Sequence, residues 1–280
     1  MYLIRRYIIL SLVILWACDV MAGGWPRKKS TGYYKIGYSW IHGSHFFNAT
    51  GGRVELERML NFSTVSFYGE YGITDRLTAI AYLPVATTAK LEAQQNQPSA
   101  SITTIGDTNI GFRYGLLTDQ PTVLSASVTL GLPFGQTASS TSAAAEDALQ
   151  TGDGEFNQLI KLESGHSLGG GFYASSFAGV NFRSKGFSEE VRIGGEVGHV
   201  SEKIIAIVKV KTIKSFKNGD DTGEATLDFF NNNMEFTSIA PEIGYKITNS
   251  IGLSINYTVY LEGVKTLANP NTTVGIFFDM

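Results

Sequence analysis

Apolar and polar residues alternate one for one along most of this chain beyond residue 22. Ile251, Leu253, Ile255, Tyr257, Val259 and Leu261 interleave with Gly252, Ser254, Asn256, Thr258, Tyr260 and Glu262. Leu124 to Leu132 repeats the pattern, and in Thr108–Leu116 the side of Ile110, Phe112, Tyr114 and Leu116 opposes that of Asp107, Asn109, Gly111 and Arg113. Successive side chains of a strand point to opposite faces, so each segment predicts a strand with one apolar and one polar face. No stretch beyond Ala22 shows the 3.6-residue period of an amphipathic helix. About twelve segments obey the rule, near residues 31–41, 62–73, 76–87, 103–117, 122–133, 155–165, 171–183, 187–200, 203–216, 234–247, 250–262 and 272–280.

Their connections alternate in length. Short turns are expected at Ile73–Arg76, Thr118–Pro121, Leu168–Gly170, Ser201–Lys203 and Thr248–Ser250, and longer polar loops at 42–61, 88–102, 134–154, 217–233 and 263–271. The connection near Ser184–Gly186 is short where a long one is due. An even number of strands with short turns at one rim and long loops at the other predicts a closed antiparallel transmembrane β-barrel, all-β, of about 12 strands (10–14). Lipid offers backbone N–H and C=O groups no partner, so a sheet crosses it only by closing on itself. A ring of this size is too wide for a compact apolar core, which assigns the apolar faces to lipid and the polar faces to a lumen.

That assignment makes the inward charges the candidate site. Lys35, Glu70, Asp107, Arg113, Lys161, Glu163, Glu190, Arg192, Glu196, Lys209, Lys211, Glu242, Lys246 and Glu262 fall on the polar faces, while the opposite faces are nearly free of charge. A charge at the middle of the lipid face costs ~2–4 kcal/mol. The inward set reads equally well as the wall of a hydrated pathway or as ion pairs that stiffen and fill the barrel. Strand aromatics such as Tyr33, Tyr34, Tyr38, Trp40, Tyr68, Tyr82, Phe112, Tyr173 and Tyr257 fit interfacial girdles, although strands favour aromatics in any case.

Composition agrees. Of 280 residues 43% are hydrophobic and 17% charged, with 31 glycines and 7 prolines. A net charge of -3 excludes a basic surface for nucleic acid. The sole apolar run is N-terminal: Arg5 and Arg6 precede Ile8–Ala17, and Val20-Met21-Ala22 offers small residues for cleavage. This is the layout of a secretory signal over residues 1–22, leaving a barrel domain over 23–280. Cys18 leaves with the signal, so the exported chain has no thiol for catalysis, disulfides or metal. About eight residues then precede the first strand, too few for a globular hatch. The last segment alternates as Val274, Ile276, Phe278 and Met280, with Met280 where outer-membrane barrels usually end in an aromatic read by the insertion machinery.

Several stretches resemble a bacterial outer-membrane family associated with the meta-pathway of phenol degradation. They are Tyr68–Leu77 (YGEYGITDRL), Gly106–Tyr114 (GDTNIGFRY), Leu130–Gly135 (LGLPFG) and Thr151–Gly154 (TGDG). The resemblance covers much of 62–155 and implies an outer-membrane location and passive transport of small solutes, including hydrophobic or aromatic ones. It implies no particular binding residue. The partners expected are outer-membrane lipid, the insertion machinery and a small solute; oligomeric state is left open. A barrel whose outer loops bind a partner over a blocked lumen is the alternative.

No enzyme is expected. Gly165-His166-Ser167-Leu168-Gly169 has the letters of a nucleophile elbow, but that motif needs a buried strand before it and a helix after it, and Phe172 onward alternates like a strand. His42 and Ser44 share a face and invite comparison with outer-membrane phospholipase, yet His45-Phe46-Phe47 follows Ser44 in place of that enzyme's Asn-Gly. Asp153 with Glu155, and Asp220-Asp221 with Glu224, lack the spacing of a calcium loop. The four histidines show no zinc pattern, so neither metal nor cofactor is expected.

Overall fold

The computed structural model describes residues 23–94, 97–137, 149–216 and 234–280. Its strands are β1 (Gly32–Phe47), β2 (Arg53–Gly72), β3 (Leu77–Leu91), β4 (Ala100–Thr104), β5 (Thr108–Leu117), β6 (Thr122–Leu132) and β7 (Asn157–Gly169). There follow β8 (Phe172–Arg183), β9 (Glu190–Val200), β10 (Ile204–Ser215), β11 (Glu235–Lys246), β12 (Ile251–Val264), β13 (Thr266–Leu267) and β14 (Asn271–Asp279). Neighbours in sequence pair antiparallel, and β1 pairs both β2 and β14, closing the sheet. The short β4 pairs β3 beyond the end of β5, in one register with it, so β4 and β5 are parts of one barrel strand interrupted at Ile105–Asp107. In the same way β13 pairs β1 beyond β14. The architecture is a closed antiparallel barrel of twelve strands.

The side of the alternation that faces out is settled by exposure. Ile36 (51%), Phe112 (55%), Leu162 (51%), Val197 (57%), Ile243 (59%) and Ile255 (51%) are among a belt of exposed apolar side chains that circles the barrel. Their sequence neighbours Lys35, Arg113, Glu163, Glu196, Glu242 and Ser254 point the other way. A continuous apolar belt is far larger than a water-facing surface tolerates. Acyl chains are the solvent that suits it.

Three of the short turns share a local device. The hydroxyls of Thr74, Ser201 and Thr248 accept the backbone N–H of Leu77, Ile204 and Ile251, at 3.0, 2.9 and 3.0 Å. A hydroxyl that holds the returning N–H closes the hairpin without a glycine. The β7–β8 turn takes the other route: Gly169, Gly170 and Gly171 all have positive φ (83, 60 and 82°), which only glycine adopts without strain. This hairpin, with no helix after Ser167, rules out a nucleophile elbow.

At the opposite rim the strands outrun the expected boundaries. In place of a loop over 42–61, β1 continues to Phe47 and β2 starts at Arg53, leaving a five-residue turn held by Asn48 Oδ1 on the N–H groups of Thr50 and Gly52 (3.0 and 2.8 Å). The twenty residues of β2 are about twice the length a tilted strand needs to cross lipid. The excess stands beyond the membrane, backed by a small core of Leu60, Ala89, Leu91, Ala100 and Leu149. A bulge at Gly43/His45 breaks the alternation there, which is why the pattern reads as loop. The Asp220–Glu224 cluster lies outside the described residues.

If the apolar belt faces lipid, Val197→Arg will cost roughly 2–4 kcal/mol of barrel stability. Urea unfolding in liposomes measures this, and an equal loss for Ser39→Arg, on the inner face where it lines the lumen, would contradict the assignment.

Candidate functional site: the lumen and its floor

The inward faces assemble the predicted charges into networks that reach across intervening strands. Arg113 on β5 donates from Nη1 to Glu70 on β2 (3.2 Å) and from Nε to Glu163 on β7 (3.1 Å). Lys161 Nζ lies 2.9 Å from Glu163, the Ser127 hydroxyl also donates to Glu163, and the Tyr68 hydroxyl donates to Glu70 at 2.6 Å. A second group joins Lys35 on β1 and Lys209 on β10 to the two oxygens of Glu242 on β11, at 2.8 and 2.6 Å. Two strands separate Lys35 from Glu242 in the sheet, so only the interior allows this contact. In a third group Arg183 pairs with Glu155 (2.7 Å) and Glu190 (2.9 Å), and Glu190 also takes Arg192 at 2.6 Å.

Other predicted residues stand apart from these groups. Glu196 accepts the Tyr173 hydroxyl at 2.9 Å and has no cation within 4.0 Å among the described residues. Lys211 lies 5.5 Å over the Phe236 ring, likewise without a carboxylate partner among the described residues. Lys246 is buried near the short-turn end, in register with Gly252. Glu262 is a correction. A bulge between Thr237 and Ser238 shifts the β11–β12 register, so Glu262 lies opposite Thr237 on the outer face, 64% exposed beside Lys214. The even-number rule that serves the rest of β12 fails past that bulge.

Asp107 acts at the rim. Its Oδ1 accepts the N–H of Gly135 and its Oδ2 that of Asp153, both at 2.9 Å. A Cβ on Gly152 would collide with that carboxylate, so glycine is required for the approach. Three of the short stretches on which the family resemblance rests therefore meet at one clasp that pins the start and end of the 134–154 loop. Burial pushes the neighbouring Asp153 carboxyl up to about 7; Glu155, Asp107 and Glu190 add to the rise and Arg183 opposes it. Its side chain keeps 39% exposure, so solvent screening limits the effect.

Sequence reasoning missed the floor. Residues 23–31, too short for a hatch, cross the barrel near the short-turn end. The Arg27 guanidinium pairs with Glu70 (3.0 Å) and Asp279 (3.2 Å), and its N–H donates to Thr78 Oγ1 (2.8 Å). Trp25 meets Tyr173 edge-on (5.8 Å between centroids), and its carbonyl accepts Arg113 Nη1 at 3.3 Å. The Gly24 carbonyl accepts the Ser125 hydroxyl at 2.5 Å. The segment thus runs from β2 and β3 to β6, β7 and β8, separating the short-turn mouth from two lumen cavities of about 440 and 400 Å³. Aromatics line both: Tyr33, Tyr68, Tyr82, Tyr173 and Phe277 the larger, Phe177, Phe236 and Tyr260 the smaller. Tyr33, Tyr68, Tyr82 and Tyr173 are therefore lumen residues and not part of an interfacial girdle.

No family model and no curated protein matches the chain. Among solved structures, a COG4313 outer membrane channel from Pseudomonas putida F1 superposes with a TM-score of 0.63 at 14% identity, over 95% of this chain and 100% of that one. The fold is that of an outer-membrane β-barrel. The β domain of the Bordetella autotransporter BrkA (TM-score 0.53, 12% identity, 90% and 100% covered) and the NanC porin (0.51, 9%, 88% and 100%) share it. A channel, an autotransporter domain and a porin on one fold show that the barrel alone does not fix the role.

The hydrolase pairing is not made. His42 Nδ1 lies 3.2 Å from Asn61 Oδ1, whereas Ser44 Oγ meets His45 Nδ1 (2.9 Å) and accepts from Asn269 Nδ2 (2.9 Å). The bulge after Gly43 takes His42 and Ser44 out of simple alternation. Among the described residues no group of three or more His, Cys, Asp or Glu side chains is placed to hold a metal.

Two outcomes follow. Arg113→Met leaves Glu70 with Arg27 alone and Glu163 with Lys161 alone, and will cost about 1–3 kcal/mol, read as a lowered urea midpoint; recovery of part of it on adding Glu163→Gln would identify the loss as charge imbalance. For the clasp, a carboxyl whose pKa is raised by docking favours the docked loop at low pH and weakens it as pH climbs from about 4 to about 7. Amide protection factors at Gly135 and Asp153 will therefore be higher at about pH 5 than at about pH 8, and Asp153→Asn will flatten the difference.

Proposed function

We propose that the chain is a passive channel of the bacterial outer membrane for small solutes, hydrophobic and aromatic ones among them. The observation that supports this is the wall of the two lumen cavities: ring faces from β1, β2, β3, β8, β11, β12 and β14 alternate with charges that are mostly neutralised in pairs. Paired charges give a solute a polar surface with little net field, while tyrosine and phenylalanine faces offer stacking of a kind that aliphatic walls lack. Cavities of this size suit molecules of one or two rings. The fold shared with a channel and a porin agrees with this reading, and the apolar belt agrees with delivery to outer-membrane lipid by the insertion machinery.

The floor makes the prediction specific. A chain that keeps residues 1–22 but lacks Trp25–Lys29 will show single-channel conductance several-fold above that of the intact protein, and faster entry of phenolic solutes into liposomes. Lack of both conductance and flux in the deletion variant, in a barrel that still shifts on heating in gels, would remove the channel reading.

A second reading, a barrel whose outer rim binds a partner, draws on the part of β1, β2 and β3 that stands beyond the membrane with its own core. Shortening that hairpin between Phe47 and Arg53 would abolish partner binding and leave permeability unchanged on this reading.

A further inference from the structure

Glu196 is an inward acid with no ion-pair partner within 4.0 Å among the described side chains, although the charge of Lys209 acts on it from across the strand pair. Lys209, its register partner on β10, is drawn away to Glu242 at 2.6 Å. What remains at Glu196 is the Tyr173 hydroxyl. A half-buried carboxylate in the lumen with one neutral donor is an unfinished site.

The first residues of the floor are packed around it. Gly23 lies against Ser175, the register partner of Glu196 across β8 and β9: a Cβ on Gly23 would fall 2.5 Å from Ser175 Cβ. The space at Gly23 therefore demands glycine. Gly24 is nearly as confined, since a Cβ there would lie 3.0 Å from the Glu163 backbone. Trp25 rests on Tyr173, the residue that donates to Glu196. Gly23 and Glu196 border the same cavity.

We propose that the cation completing this site is the α-ammonium group of Gly23, created when the leader is cut after Ala22. The inference rests on that cleavage and not on what the channel passes. Hydrolysis of the Ala22–Gly23 peptide bond adds one water: the carboxylate leaves with Ala22 and the ammonium stays on Gly23. Before the cut the nitrogen is a neutral amide and Glu196 keeps a single hydrogen bond. After it, a full positive charge stands in the low-dielectric lumen beside a carboxylate, where ion pairing is strongest. The floor is thus anchored at one end by Arg27 on Glu70 and Asp279 and at the other by the new terminus on Glu196. Export processing and sealing of the lumen become one event.

The test uses protein purified folded from outer membranes, with its terminus read by mass spectrometry, and acetylation of the Gly23 amine by an N-hydroxysuccinimide ester. Pairing with Glu196 keeps the amine protonated, and one unit of added proton affinity lowers the reactive fraction about tenfold. Glu196→Gln keeps the burial and removes the charge, so it will speed acetylation by about that factor and move the rate's midpoint to lower pH. A second variant with two alanines inserted between Ala22 and Gly23, cleaved ahead of them, carries the ammonium away from Glu196 and will also react fast. A mature terminus other than Gly23 overturns the proposal. So does an unchanged rate in folded Glu196→Gln or, should that variant not fold, slow acetylation in the extended chain.

Discussion

Everything inside this barrel follows from the absence of water around its outside. Strand N–H and C=O groups find partners only on neighbouring strands, so the sheet closes through β1 on both β2 and β14. The same solvent keeps charge off the outer face, and the charges of the strand cores are forced onto the inner one. There they lie too close, and with too little water, to remain independent. Arg113 satisfying Glu70 and Glu163 together, and Glu242 taking Lys35 and Lys209, are consequences of that crowding. Such pairs add less to stability than their number suggests, since desolvation offsets most of the attraction. They fix instead which residues can face which across the lumen.

Glycine supplies the room. Phe277 lies opposite Gly252, Tyr173 opposite Gly198 and Phe177 opposite Gly194, each pair in direct register on adjacent strands. In all three a Cβ on the glycine would collide with the ring. Rings laid flat over a glycine leave space in the middle of the barrel that upright rings would fill. The high glycine count of the sequence is therefore tied to lumen width as well as to turns, and the inner aromatics are wall and not plug.

Period-two alternation is easy to read because lipid makes it strict, and it carries the strand count, the short turns and the face of nearly every inward charge. It fails where lipid no longer enforces it. Glu262 sits past a bulge, and the outer parts of β1, β2 and β3 stand in water, so neither obeys the rule. Aromatics mislead for another reason: Tyr33, Tyr68, Tyr82 and Tyr173 sit on the polar face by parity, but their ring character suggests an interface. Arg183 is on the inward parity of β8 beside Asn181 and was legible in principle. The floor was not. Residues 23–31 have no periodicity, and only the geometry of the closed barrel shows that Arg27 finds Glu70 and Trp25 finds Tyr173.

The floor changes what the ion pairs mean. In an open tube, mixed-sign walls would pass small ions with little preference. Here the path from the cavities to the short-turn mouth meets a peptide strap held by hydrogen bonds to Thr78 and Ser125 and by ion pairs at Arg27. Each contact is modest alone, since a hydrogen bond to a neutral group contributes about 1 kcal/mol net. Residues 23–31 have no core of their own, so what holds the strap is its contacts with the barrel wall. On the proposed channel reading, selectivity has two layers: rings and paired charges decide what rests in the lumen, and the anchoring of a short segment decides how often it leaves.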